Sequence, residues 1–447
     1  MDFKGEKIAV VGMGKTGIAT ARFLGLHGAR VIVTDEKPQR QWESGYGQIA
    51  GEKWLEEGPY NPDILKGVNM VVPSPGVPPF NEILRSAVQK KIPVISEIEL
   101  AYRFLKSPLI AVTGTNGKTT TTTLLGEILG RAGKKVALGG NIGKPLIEYV
   151  GVSDDLDFLV AEISSFQLQW IETFRPFVAL LLNITCDHLN YHGSFVEYQR
   201  IKSRIFVNQT GTDFAILNAE DPTQKLLAQN IRAQIAFFSS VNELQQGIYV
   251  KVPSIVFNAF GFGKEEYPLR MIKIPGTHNV ENVMAAVMAA RLCGCKSADI
   301  IDVVADFRGL PHRIEFTAEK NGVKFYDDSK GTNVGSVVRA LDTFAEPVIL
   351  LLGGRDKDGD FEILQPLLKR KVKKVILFGE ARNRICSLIG DSMPSEKKTT
   401  LREAVNSAYR NATAGDVVLL SPGCASFDEF KDYKERGIFF QDLVRAL

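Results

Sequence analysis

With 447 residues, 45% hydrophobic and 23% charged, the chain has the size and composition of two to four globular domains, each able to bury a core. A net charge of +3 is too small to argue for nucleic acid, so any pull on anions has to be local. Five scattered cysteines fit free thiols in a reducing compartment; Cys293 and Cys295 are too close together, and lack partners, for a zinc site.

The apolar run at 8–11 stops at glycine, unlike a signal peptide, and no stretch approaches the ~20 apolar residues of a membrane span. A cytoplasmic protein with no membrane partner is expected. The chain opens as a βαβ unit: 7–11 reads as a buried strand, the segment up to Leu26 as a helix stopped by Gly28, and 30–34 as a second strand before Asp35. Gly-Met-Gly-Lys-Thr-Gly (12–17) is a Gly-x-Gly-x-x-Gly turn in the outline of a dinucleotide fold. Asp35 lies about 20 residues on, where an acid can meet a ribose hydroxyl. Alone this motif says only that a nucleotide-like ligand can sit here. Strand 70–72 runs into Pro-Ser-Pro-Gly (73–76), a rigid loop that is either a ligand loop or a plain turn. The first domain is expected to end near 96–107.

In the second region an apolar strand, 109–112, feeds Thr-Gly-Thr-Asn-Gly-Lys-Thr-Thr (113–120), and apolar residues then recur at helical spacing over 124–129. Strand, tight loop, helix N-terminus is the order that aims backbone N–H groups and a helix dipole at a phosphate. Lys118 can reach the outer phosphates, and the Thr119 hydroxyl suits Mg²⁺. The general pattern has glycine five places before Gly-Lys; Val112 stands there and the glycine is Gly114, a tighter variant. Gly-Gly-Asn-Ile-Gly (139–143) reads as a flexible loop after the short strand 136–138. Strand 158–161 ends in Glu162, an acid beside a phosphate loop and so a candidate Mg²⁺ ligand.

Strand 177–182 leads into Asn-Ile-Thr-Cys-Asp-His-Leu-Asn (183–190), and His188 and His192 are two of only five histidines. A histidine here can bind metal, act as a base or cap a loop. Lys202, inside a helix over 198–207, reads as a solvated side chain. Short alternating runs over 233–274 suggest a smaller β layer. Gly-Thr-His-Asn-Val-Glu-Asn (276–282) precedes a small-residue helix, with Asn279 or Asn282 capping it or lining a pocket. Gly-Leu-Pro-His-Arg (309–313) reads as a hinge. Beyond it the chain begins again as α/β, with polar clusters at the ends of strands 323–326, 348–352 and 417–420 and a final helix carrying Phe430 and Tyr433. Three such clusters in one sheet suggest a site along that edge.

Together these stretches resemble the Mur ligases, ATP-dependent amide-forming enzymes of peptidoglycan synthesis. The resemblance rests on residues 113–120, Glu162 with Ser-Ser-Phe-Gln-Leu, Asp187-His188, Gly276-x-His278-Asn279-x-x-Asn282, His312-Arg313 and Asp-Asp-Ser-Lys-Gly-Thr-Asn (327–333). The opening glycine turn, Ser74-Pro75-Gly76 and the closing Ser-Pro-Gly-Cys-Ala-Ser-Phe-Asp (421–428) look like the branch that adds D-glutamate. Gly331 and Gly423 stand where alanine is usual, and Tyr433 where an aromatic ring is expected.

The resemblance implies three α/β domains: a Rossmann-like UDP-binding domain at 1–97, a central P-loop ATPase-like domain with its small β layer at 98–309, and a C-terminal Rossmann-like domain at 310–447 that receives the amino acid. It implies transfer of phosphate from ATP to UDP-N-acetylmuramoyl-L-alanine, then attack by D-glutamate on the acyl phosphate, in a monomeric enzyme. Gly14, Thr16, Thr34, Asp35, Ser74 and Gly76 would face the UDP group and Asn141 the sugar side. Gly114, Thr115, Asn116, Gly117, Lys118, Thr119, Thr120, Asn282, Arg313, Asp328 and Lys330 would hold ATP. Thr119, Glu162, His188 and Lys202 would hold Mg²⁺, with Lys202 carbamylated so that it offers oxygens instead of an ammonium. Lys118, Glu162, His188 and Lys202 would be catalytic, and Thr332, Lys357, Ser426 and Tyr433 would receive D-glutamate. A folylpolyglutamate synthase lacks the first domain, and a dinucleotide-dependent oxidoreductase leaves the phosphate loop unexplained.

Overall fold

The computed structural model describes residues 3–390 and 393–447. Three sheets follow one another along the chain, flanked by helices, as alternating apolar strands and helices dictate. In the first, Leu55–Glu57, Arg30–Thr34, Lys7–Val11 and Met70–Pro73 lie in that order, all parallel. Lys7–Val11 is inside because Ile8, Ala9, Val10 and Val11 give it two apolar faces, both covered. Helix Lys15–Leu26 packs on the sheet through Ile18, Ala21 and Leu24. Gly17 permits the close approach: a Cβ there would stand 1.9 Å from the Gly12 carbonyl oxygen.

The second sheet has nine strands. Val136–Gly140, Phe158–Glu162, Leu109–Thr113, Val178–Leu181, Phe214–Asn218, Gln234–Ser239 and Gly247–Lys251 are successive parallel neighbours. Ser254–Asn258 and Lys264–Pro268 then add antiparallel. The β layer expected over 233–274 is thus the far edge of this same sheet. The connections there are too short for crossover helices, so the last strands double back. Lys264, Glu265 and Glu266 charge the outermost strand and discourage further pairing. The segment 139–143 is also tighter than a flexible loop: the strand runs on to Gly140, and the turn is closed by Gly140 N–H to Lys144 O (2.9 Å) and Asn141 N–H to Glu162 O (2.8 Å). Helices Lys118–Arg131 and Thr277–Leu292 pack together against this sheet, the second buried from Val283 to Ala290.

The third sheet runs Glu315–Lys320, Val323–Asp327, Val417–Gly423, Val348–Gly353, Val372–Phe378, Ser395–Lys397, parallel except for its first pair. The first strand is too polar to stand out by hydrophobicity. Its signal is Asn321-Gly322, whose positive φ values (50° and 77°) suit a tight hairpin turn. The final helix is Tyr433–Arg445, started by the Asp432 side chain accepting the N–H groups of Lys434 and Glu435; Phe430, expected on it, precedes it.

Helix Glu97–Tyr102 joins the first sheet to the second, and a buried carboxylate fixes it. Glu99 accepts the backbone N–H groups of Glu172, Thr173 and Phe174 (2.9, 2.9 and 2.8 Å), the Thr173 hydroxyl (2.7 Å) and Arg103 Nε (2.9 Å). Burial raises its pKa, but these donors together outweigh burial and hold it below the ordinary carboxylate value. Glu99→Ala strands several buried donors and is expected to cost about 3 kcal/mol, read as a lower urea midpoint. A depressed carboxylate contributes fully above its unfolded pKa and is lost as pH falls through its folded one. The wild-type and Ala midpoints should therefore converge in acid, below about pH 4.

Candidate active site

The phosphate loop is held from outside. Gly114 and Gly117 have φ of 152° and 88°, and a Cβ on Gly117 would stand 2.1 Å from Asn282 Oδ1. Asn183, at the end of the neighbouring strand, accepts Asn116 N–H on Oδ1 (2.9 Å) and donates Nδ2 to Asn116 O (3.0 Å). Its own carbonyl accepts Thr115 N–H (2.9 Å). The Thr115 hydroxyl donates to Thr185 O (3.1 Å) and accepts Thr185 N–H (3.0 Å). Helix Lys118–Arg131 starts directly behind this loop, with Thr120 buried in its first turn. Lys118 folds back so that Nζ donates to Gly114 O and Thr115 O, both at 2.9 Å.

Lys202 is not on a solvated face. It is 1% exposed, its Nζ donates to Gly114 O at 2.9 Å, and it lies 4.8 Å from the Tyr198 ring centroid. Burial, and then the charge of Lys118, push its pKa well below the usual lysine value. Burial lowers Lys118 too. Glu162 is buried beside them; its Oε1 accepts Asn141 Nδ2 (2.7 Å) and its Oε2 has no partner. His188 has φ 53°, donates its N–H to Asp187 Oδ1 (2.9 Å), and has Nε2 3.6 Å from Asp187 Oδ2. Burial lowers its pKa, which favours the neutral ring. His192 is buried against Ser165 Oγ (2.9 Å) and does not line the cleft.

The cleft, about 350 Å³, is lined by the middle domain and by residues beyond the hinge. Arg313 Nη2 donates to Thr119 Oγ1 (2.7 Å). Asn333 Nδ2 donates to Asp187 Oδ2 (3.0 Å), and Ser336 Oγ to Asn116 Oδ1 (2.9 Å). Asp328 accepts the Ser421 hydroxyl (2.7 Å), and burial pushes it up to about 7. Lys330 sits 3.9 Å from the Tyr433 ring centroid and is lowered by burial to about 8. Asn282, Thr332 and Lys357 line the cleft; Ser426 and Tyr433 lie outside its lining. His312, Glu315 and Asp327 come close enough for a metal, but hydrogen bonds already use them. His312 meets Asp327 through Nδ1 (2.7 Å), and Glu315 accepts His312 N–H (2.8 Å) and Gln441 Nε2 (3.0 Å). This cluster braces the hinge.

At the first sheet, Gly14, Thr16, Thr34, Asp35, Ser74 and Gly76 gather around strand carboxyl ends. Asp35 accepts Met13 N–H (2.5 Å) and Lys37 N–H (2.8 Å), and Ser74 Oγ donates to Gly12 O (2.7 Å), so both also brace the glycine turn. Asn141 sits instead in the phosphate-loop cleft, against Glu162. Another cleft, about 710 Å³, runs along helix Lys15–Leu26 between Lys15, Arg22, Glu43 and Lys144, and the expected UDP contacts do not line it. Sequence reasoning missed Asn183, Asn333, Ser336 and Tyr198 as site-building residues. Asn183, at a strand end beside the phosphate loop, and Asn333, closing the polar cluster 327–333, each had a signal.

For Mg²⁺, the donor set fits in part. Glu162, with one unpartnered carboxylate oxygen, and Thr119, with its hydroxyl, line the same polar cleft, a donor chemistry that suits a hard cation. A protonated Lys202 does not suit one, so that position fits only as neutral amine or anion.

Comparison with known proteins agrees with this geometry. The Mur ligase middle domain matches residues 112–290, the domain described as Mur ligase, glutamate ligase domain matches 312–424, and the Mur ligase MurD-like N-terminal domain matches 6–96. The chain is similar to a UDP-N-acetylmuramoylalanine–D-glutamate ligase of Syntrophus aciditrophicus, 55% identical over 450 residues covering 100% of this chain and 99% of that one. A protein of the same description from Geotalea uraniireducens is 46% identical over 448 residues, again covering 100% and 99%. Among solved structures, a pseudomurein peptide ligase type C from Methanothermus fervidus superposes with a TM-score of 0.62 at 18% identity, over 99% of this chain and 100% of that one. E. coli FolC in complex with DHPP and ADP gives 0.59 at 19% identity, but over only 79% of this chain and 93% of its own. At such identities these two share the fold. With all three of its domains matched and full-length relatives at this identity, the chain belongs to the Mur ligase family.

Proposed function

We propose that the chain is an ATP-dependent ligase that adds D-glutamate to UDP-N-acetylmuramoyl-L-alanine in cytoplasmic peptidoglycan precursor synthesis. The observation that carries this is full-length identity of 55% to a relative described by that reaction. The cleft supports it, because it unites a phosphate loop with side chains from the domain expected to bring the amino acid. No helix among the described residues is long and apolar enough to cross a membrane.

A carboxylate is a poor electrophile, so its oxygen is first phosphorylated. The alanyl carboxylate attacks the γ-phosphorus of ATP, ADP leaves, and an acyl phosphate forms. The D-glutamate amine then attacks the acyl carbon, losing a proton, and inorganic phosphate departs. Lys118 and the loop N–H groups spread the charge that grows on the phosphoryl oxygens. The lysine that bonds Gly114 O and Thr115 O exchanges those carbonyls for phosphate oxygens. Thr119, Glu162, His188 and Lys202 would hold Mg²⁺, which supplies further neutralisation of the phosphates when bound. Burial pushes the Lys202 amine well below the usual lysine range, which favours the uncharged form that reacts with dissolved CO₂ to give a carbamate. Arg313, Asp328 and Lys330 close over the nucleotide and keep water from the acyl phosphate.

ADP release is expected to require both the nucleotide sugar and D-glutamate; equal turnover with L-glutamate or meso-diaminopimelate would contradict the acceptor assignment. Lys202→Ala is expected to lose at least about 100-fold in kcat, and bicarbonate should not restore it. Wild-type protein in ¹³C-bicarbonate should show a carbamate resonance that Lys202→Ala lacks; full activity in that variant would refute the role.

A further inference from the structure

Arg436, three residues into the final helix, is the largest fully buried side chain among the described residues. Its Nε donates to Ser329 Oγ (2.9 Å), and its Nη2 to the carbonyls of Ser329 (2.8 Å) and Cys424 (3.1 Å). Ser329 Oγ in turn donates to Tyr433 O (2.8 Å). Nη1 is buried with no partner, and it lies against Gly354, where an added Cβ would stand 3.1 Å away. Among the described residues no carboxylate pairs with this guanidinium; Asp428, Asp327 and Asp328 act on it only from a distance. Burial lowers its pKa to about 10, so it stays charged at neutral pH.

A buried cation without a counter-ion is costly, and chains seldom keep one without use. Here it sits where three loops meet. One follows Val323–Asp327 and carries Thr332; one follows Val348–Gly353 and carries Lys357; one follows Val417–Gly423 and carries Ser426. Backbone bonds zip them together: Arg355 and Ala425 exchange N–H···O bonds (both 2.9 Å), and Gly423 N–H meets Gly331 O (2.8 Å). Tyr433 opens the helix that bears Arg436. The four residues expected around D-glutamate thus stand on segments that share one hub.

We propose that Arg436 is a positioning and specificity residue for the acidic acceptor. It ties the first and third loops through its Nε and Nη2 bonds and packs against the second at Gly354, and its charge, which no carboxylate pairs directly, makes the surface they share favour a dicarboxylate over a neutral amino acid. This rests on the D-glutamate reading above.

The test is steady-state kinetics of Arg436→Met, Arg436→Lys and Ser329→Ala, with D-glutamate and its neutral isostere D-glutamine as acceptors. In Arg436→Met the KM for D-glutamate should rise about tenfold or more, and preference for D-glutamate over D-glutamine should fall by a similar factor. KM for ATP and for the nucleotide sugar should stay within about twofold. Arg436→Lys should keep most of the preference. Ser329→Ala, which removes the hydroxyl's bonds to Arg436 and Tyr433 but leaves the charge, should raise the D-glutamate KM without changing preference. If Arg436→Met does not fold, as melting would show, Lys and Ala decide the matter. Unchanged preference in Met, equal KM rises for all three substrates, or a preference lost as fully in Lys as in Met would overturn the proposal. Wild-type enzyme with no D-glutamate-dependent ADP release would instead overturn the reading beneath it.

Discussion

Two lysine amines converge on a single carbonyl oxygen. Lys118 and Lys202 both donate to Gly114 O at 2.9 Å, Lys202 almost wholly shielded from water and Lys118 partly so at the wall of the cleft. Two ammonium groups cannot share such a place without compensation. Glu162 and Asp187 attract both, yet burial still wins for each lysine. The site therefore asks for more negative charge than the chain supplies. A bound triphosphate would bring that charge, and the carbamate proposed at Lys202 would relieve the rest. In this account the phosphate loop is preorganised by its anion deficit as much as by its glycines.

The C-terminal domain reaches the same loop from the other side and adds a further cation to it. Arg313 reaches Thr119, and Ser336 and Asn333 reach Asn116 and Asp187, so domain closure is read directly by the phosphate loop. Arg339 and Glu281 add a half-buried ion pair at 3.7 Å between the same two domains. These are few contacts, mostly polar, of the kind that open and close readily. The hinge itself is stiffened by His312, Asp327 and Glu315, which puts Arg313 in one place once closure occurs.

The phosphate loop was legible in the sequence because its backbone demands are local: glycine at two left-handed or extended positions, then a helix start. Glu162 was legible for the same reason, as the polar end of an apolar strand. Lys202 was not. Helical spacing puts Tyr198 and Lys202 on one face, but nothing in the spacing of 195–203 says that Gly114 lies over that face. The strands over 233–274 were found, but their register onto the central sheet depends on Phe214–Asn218, which pairs with Gln234–Ser239 only after the chain has folded. Ser336 and Arg436 join residues 220 and 107 positions away with no local pattern to announce them, and Asn333, though it closes the polar cluster 327–333, meets Asp187 146 positions away.

The central claim is that the acid oxygen of the nucleotide sugar is phosphorylated before the amine attacks. Labelling both oxygens of the alanyl carboxylate with ¹⁸O and analysing the released phosphate by mass spectrometry tests it most directly. The account predicts one ¹⁸O in each phosphate formed during amide synthesis. Phosphate released without label, while amide accumulates, would contradict it.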